Sequence, residues 1–375
     1  MKNSILSVCF LLLTLLMFGQ EMKKGDQELL SHYPLPKVDK RTELLSIVFR
    51  LAGNFEYNDD VYRSYVSDIH GHFNKFKDYP LIVFAAEMRD KNGVSFDAVQ
   101  AMAIHLEQPP SLNLLVPFSS KVPERRWGQE NALKFAGLLK QFYSDAKCEE
   151  FFKEQEGLYK SAQERFMPVY DALDVQWYNR YYGVQPEGSL NIIIGLGLGG
   201  GNYGPKVVYP DGTEAIYAIM GTAYFDGTGK PVYPVENCLP TLIHEFNHSY
   251  VNPLTKKHEK EFEGAGTKLF DLVKAGMGSQ HYTSWQTMMN ESLVRASVIR
   301  YLLKHNPGGK EARSQLISDF GRGFFWMKGL VETLGVYEKR RDKYPTLESY
   351  LPVLVEFYKG VAKESESMFK IQNSD

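Results

Sequence analysis

Cysteine is scarce: the 375-residue chain has three, and the first, Cys9, lies in an apolar opening segment. The other two, Cys148 and Cys238, are too few for a disulfide scaffold. They could bridge in an oxidising compartment, but the simpler reading is a pair of buried thiols. An excess of charge of one sign is also missing. Forty-three basic side chains face 45 acidic ones, a formal net charge of -2, so there is no basic field for a phosphate backbone and nucleic acid is set aside as a partner. Internal repeats and low-complexity tracts are absent, and 43% hydrophobic residues is globular composition, which excludes disordered, collagen-like and coiled-coil classes.

Long apolar runs are confined to the start. In MKNSILSVCFLLLTLLMFGQ, Lys2 precedes an apolar run from Ile5 to Phe18, which ends at the small residue Gly19. The run is shorter than the roughly 20 residues of a membrane span and is followed by polar EMKKGDQE. It reads as a secretory signal over residues 1–19, cleaved near Gly19, and Cys9 lies too early in it for lipid attachment. The expectation is an exported protein, periplasmic or extracellular, with no stable membrane insertion after cleavage.

Beyond this segment the length suggests two parts. From Thr42, apolar residues at helical spacing (Leu44, Leu45, Val48, Phe49) begin a helix-rich region. It continues through Tyr62–Phe76, Val99–Leu106, Asn131–Phe152 and Glu154–Tyr178. At Leu190 β-branched runs separated by Gly, Asp-Gly and Pro-Asp-Gly turns predict a small sheet. After Glu236 helices return over Cys238–Val251, Phe262–Ala275, Ser284–His305, Arg313–Leu334 and Leu347–Lys370. The expected fold class is α+β, with a mainly helical region at 20–186 and a sheet-plus-helix part at 187–375. Gly195, Gly197 and Gly200 satisfy GxGxxG, but turn and strand residues follow where a dinucleotide site needs a helix, so that motif is discounted.

The chemistry is concentrated in His244-Glu245-Phe246-Asn247-His248, an HExxH motif on a stretch that Asn237 would cap and Pro253 would close. Four residues apart on a helix, the two imidazoles can face one ion, a geometry that suits zinc. Glu245 stands beside the metal rather than on it, positioned as a general base for a zinc-activated water. A third ligand is needed. Candidates are His258, Glu259, Glu261, Glu263, His281 and Glu291, and Glu291 is the strongest because Met289–Arg295 lies on a second amphipathic helix. Val251 and Leu254 stand where the metzincin pattern requires Gly and His, which excludes that clan.

HExxH on one helix and Asn290-Glu291 on a later one resemble the gluzincin zinc metallopeptidases, the group of thermolysin and the neutral aminopeptidases. The resemblance spans about Ile216 to Tyr301. It implies a zincin-like catalytic part with His244, His248 and Glu291 as Zn2+ ligands, Glu245 as base and a peptide or protein substrate. Two features depart from it. Forty-two residues separate His248 from Glu291, a long insert, and Arg295 stands where thermolysin has an aspartate that orients a ligand histidine. Arg295 is read either as a surface partner of Glu291 or as a substrate contact.

Ala215–Gly221 is the candidate edge strand for holding an extended substrate, with an interior strand as the alternative. His281 and Tyr282, in a loop before the second metal helix, are the candidate oxyanion donors. His70 and His72 fall on different helix faces and are read as ordinary polar residues. Two other readings stay open: an exported metal-binding or interaction protein without turnover, and a zinc amidase acting on non-peptide substrates. An intervening glutamate that a binding protein does not need favours an enzyme.

Overall fold

Asp39 starts the first helix: its side chain accepts from Arg41 N at 3.0 Å and pairs with the Arg41 guanidinium at 2.8 Å, both residues being buried. That helix, α1 (Lys40–Leu51), is buried along almost its whole length. The computed structural model describes residues 32–184, 188–280 and 282–372, with side chains through 365. The expected signal segment, 1–19, and His281 lie outside the described residues. The helix-rich region continues as α2 (Arg63–Phe73), α3 (Pro80–Asn92), α4 (Asp97–Ile104), α5 (Gln129–Asp145), α6 (Cys148–Glu154), α7 (Glu156–Ala172) and α8 (Val175–Tyr182). Two helices read as continuous are each broken in two. Lys147 takes a left-handed φ of 52° between α5 and α6, and Leu173 is extended between α7 and α8.

The strands are β1 (Lys37–Val38), β2 (Gly188–Gly195), β3 (Asn202–Tyr203), β4 (Lys206–Val208), β5 (Glu214–Gly221), β6 (Tyr224–Phe225) and β7 (Pro231–Val232). In the main sheet β1 pairs with β2, and β2 with β5, both in parallel; β2 and β5 run in register from Gly188 opposite Glu214 to Gly195 opposite Gly221. The other side of β5 is covered by β3 and β4, both antiparallel to it. Ala215–Gly221 is therefore an interior strand, and the sheet edge on that side is Asn202–Val208. Six consecutive buried residues in β5 are the mark of a strand flanked on both sides and covered on both faces. No helix follows the glycine-rich segment after β2, where the chain turns directly into β3. Its first amides are taken by Glu43 of α1, which accepts from Leu196 N at 2.7 Å and Gly197 N at 3.1 Å.

The helices that follow are α9 (Val235–Lys257), α10 (Glu259–Gly278), α11 (Trp285–His305), α12 (Lys310–Gly321), α13 (Met327–Lys339) and α14 (Leu347–Gln372). The fold is thus α+β, a small mixed sheet among many helices. Helix α9 starts two residues before Asn237 and runs through Pro240 and Pro253, so Asn237 does not cap it and Pro253 does not close it. Each proline removes one hydrogen bond of the ladder, and packing against α11 holds the helix together across the gaps. Helix α11 is the centre of this half, buried from Met288 to Leu302 apart from Asn290 and Arg300. Ser284 caps it, accepting from Thr287 N at 3.2 Å. The expected single helix Arg313–Leu334 divides at Gly323, whose φ of +100° ends α12. Cys148 and Cys238 are buried free thiols. His70 faces Asn74 and His72 meets the carbonyl of Ala146, both outside the candidate site.

Candidate metal centre

Two side chains within or near the HExxH segment bind α9 to its neighbours. Asn247 is fully buried; it accepts from the Tyr182 hydroxyl at 2.9 Å and donates to the Val294 carbonyl of α11 at 3.3 Å. Two turns past the motif, the Thr255 hydroxyl bonds to Asn290 of α11. These cross-links set the two helices in register, so that His244 and His248 on α9 face Glu291 on α11.

The three donors converge. The Nε2 atoms of His244 and His248 are 3.1 Å apart, and each lies 3.4–3.6 Å from one Glu291 oxygen: His248 from Oε1, His244 from Oε2. One donor atom from each residue falls within 4.8 Å of the others, a span that one divalent ion can bridge. Asn252, one turn after His248 on the same face, accepts from Nδ1 at 3.2 Å and turns Nε2 toward the other donors. Glu291 is oriented in turn, because its Oε2 accepts from the Tyr282 hydroxyl at 3.0 Å and from Arg295 Nε at 3.2 Å.

The electrostatics show what the cluster demands. Burial pushes the His244 imidazole down to about 3, outweighing the opposing Glu291 carboxylate, with the charges of His248, Arg295 and Arg322 adding to the fall. Burial also opposes charge on His248, but the hydrogen bond and charge of Glu291 more than offset it and hold this imidazole up at about 9. Glu291, although buried, is held far below the usual carboxylate range by the two histidines and Arg295. Without a metal, a proton on His248 thus supplies positive charge between the donors. Two imidazoles and a carboxylate around such a point are a donor set that could hold one divalent ion and leave it open positions.

Glu245 is one residue round the helix from His244. Burial pushes its carboxyl up to about 7, where proton uptake and release are both accessible near neutrality. The sheet edge closes on it at Gly204, where an added methyl would lie 2.9 Å from Glu245 Oε2. A side chain there would displace the end of the Glu245 side chain. On the other side opens a cavity of about 720 Å³, walled by the first turns of α9 and by one face of α12. Polar side chains predominate in its lining, with Asn202, Thr241, Gln315 and Arg322 among those that share it with His244 and Glu245.

Of the other sequence candidates, His258 is engaged elsewhere, with Glu261 and Glu348. Glu259 pairs with Lys256 and Gln286, and Glu263 is exposed. Tyr282 does come to the cluster, but its hydroxyl hydrogen goes to Glu291 while its oxygen accepts from Arg295 at 2.8 Å. Arg295 is not a surface partner of Glu291, and it is among the residues that line the cavity. It is buried and also donates to the fully buried Asp319 of α12 at 2.9 Å. Asp319 was not legible in advance, because nothing local marks an aspartate 24 residues on as the partner of Arg295. Asn252 was missed although a local signal marks it: at i+4 from His248 it shares the ligand face.

No curated protein and no solved structure matches the chain. Residues 36–357 match the model of a family described as a domain of unknown function, DUF4932, and the chain belongs to that family.

Proposed function

We propose that the protein is an exported zinc metallopeptidase that hydrolyses peptide bonds. The observation that carries this reading is the convergence of His244, His248 and Glu291 with Glu245 beside them. His244 and His248 would hold the ion through Nε2 and Glu291 through its carboxylate. Zinc in such a site supplies a Lewis acid that polarises a carbonyl and brings the acidity of water close to neutral pH. Glu245 then takes a proton from the attacking water and delivers one to the leaving amine. Asn252, Tyr282 and Arg295 keep the ligands in place during this cycle. The edge Asn202–Val208, beside Glu245, favours an extended substrate, because added-strand hydrogen bonds can hold any sequence there. The zincin-like character of the catalytic part belongs to the same proposal, and the polar lining of the cavity brings hydrophilic amides other than peptides into the same screen.

The test is elemental analysis of the purified protein beside His248→Ala and Glu291→Ala, followed by a peptide library with Glu245→Gln as control. The expected result is near-stoichiometric zinc in wild type and Glu245→Gln, little in the two ligand variants, and cleavage by wild type alone. Absence of zinc from metal-replete wild type would defeat the proposal.

A further inference from the structure

A carbonyl attacked beside Glu245 needs a donor for the negative charge that develops on its oxygen. The Tyr282 hydroxyl hydrogen is donated to Glu291, and the Arg295 nitrogens are divided among Glu291, Tyr282 and Asp319. The single Tyr282 hydrogen is thus committed, and three of the five Arg295 N–H groups are in these bonds, its charge already shared by the carboxylates of Glu291 and Asp319. Helix α12 brings another. Its residues Glu311, Ser314, Gln315, Ser318 and Arg322 recur at helical spacing and line the cavity that His244 and Glu245 open into.

The register of that face is set by Asp319, which Arg295 and Gln315 hold at 2.9 and 3.0 Å. Arg322 is three residues further on, so it projects from the side of α12 that is fastened to the ligand Glu291 through Arg295. Its backbone is anchored at both ends. The amide donates to the Ser318 carbonyl at 3.0 Å, and the carbonyl accepts from Gln280 Nε2 at 2.8 Å. The guanidinium, by contrast, has no hydrogen bond or ion pair among the described residues.

We infer that Arg322 is a catalytic residue, donating from its guanidinium to the oxygen of the attacked carbonyl. This rests on the peptidase reading of the site. As the water oxygen bonds to the carbonyl carbon, its proton passes to Glu245 and the carbonyl π pair moves onto the oxygen that Arg322 faces. Return of that pair breaks the bond to nitrogen, and the amine leaves with a proton from Glu245. A charged donor on an anchored backbone strengthens its bond most as charge builds, so it lowers the barrier more than it improves substrate binding.

The experiment compares zinc-loaded wild type, Arg322→Met and Arg322→Lys by calorimetry with a phosphinic alanine pseudodipeptide, a tetrahedral oxyanion, capped at both ends. A second probe leaves the carboxyl terminus free. Arg322→Met is expected to keep its zinc and thermal stability, bind the capped probe about 10²-fold more weakly and lose kcat by a similar factor with KM little changed. Arg322→Lys should recover part of both losses. Equal affinity of wild type and Arg322→Met for the capped probe, measurable or not, overturns the assignment. So does a loss confined to the free-carboxylate probe, which would make Arg322 a reader of chain termini. Failure of wild type to cleave any library peptide, with the capped probe still bound through Arg322, would remove the peptidase reading and leave the oxyanion site.

Discussion

Glu43 gives a stability signal that can be measured apart from the metal chemistry. Its side chain is fully buried in α1, and burial pushes its carboxyl up from 4.5 to about 7, against the opposing hydrogen bonds from Tyr65, Leu196 N and Gly197 N. That displacement corresponds to about 3 kcal/mol, at about 1.4 kcal/mol per decade of proton affinity. Between the two values the folded protein keeps a proton that the unfolded chain has released. Its contribution is therefore fully present below 4.5 and falls away as pH rises through about 7.

The comparison is wild type with Glu43→Gln, whose amide cannot ionise but gives up one acceptor oxygen, costing about 1 kcal/mol. The variant should be the less stable protein near pH 4 and the more stable one, by about 2 kcal/mol, at pH 8.5. Urea unfolding followed by tryptophan fluorescence across this range measures the crossing. Parallel curves for the two proteins, or a crossing in the opposite sense, would refute the account of Glu43 as a neutral acid clasping the segment after β2.

Three further outcomes are expected. Because His248 is held at about 9 in the metal-free cluster, zinc must displace its proton; affinity should rise roughly tenfold per pH unit up to that value and then level, with proton release visible by calorimetry in buffers of different ionisation heat. Asp319→Ala leaves part of the buried Arg295 charge unpaired, so stability should drop by about 3–5 kcal/mol and zinc affinity by about 10–100-fold; wild-type values for both would disconnect α12 from the metal centre. Gly204→Ala puts a methyl 2.9 Å from Glu245 Oε2, and kcat should fall by about 10²-fold with zinc content unchanged, whereas full activity would show that the edge can yield.

Legibility followed the distance over which each feature is specified. The pairing of His244 with His248 needs only the rise and turn of one helix, and the glutamate between them falls beside the pair for the same reason. Ser284–His305 was readable to within a residue because an amphipathic run begins at a serine cap. The ends of α9 were misread, since a proline inside a helix costs one ladder bond that tertiary packing can offset. The edge strand was misplaced because β3 and β4 are two and three residues long, too short for alternation to register, while the conspicuous β5 is conspicuous because it is interior.

What the amino-acid sequence determined by itself is local: a helix carrying His244, Glu245 and His248 on adjoining positions, a second carrying Asn290 and Glu291, and a sheet between them and the helical region. Everything that joins these pieces was decided by tertiary structure. Asn247 and Thr255 set the helix register, Arg295 turned inward to Asp319, Gly204 came down on Glu245, and Arg322 was brought to the cavity by a helix fastened elsewhere. The physical reason is that backbone periodicity reaches only a turn or two along the chain, whereas a buried charge is satisfied by whichever partner packing brings within hydrogen-bond distance.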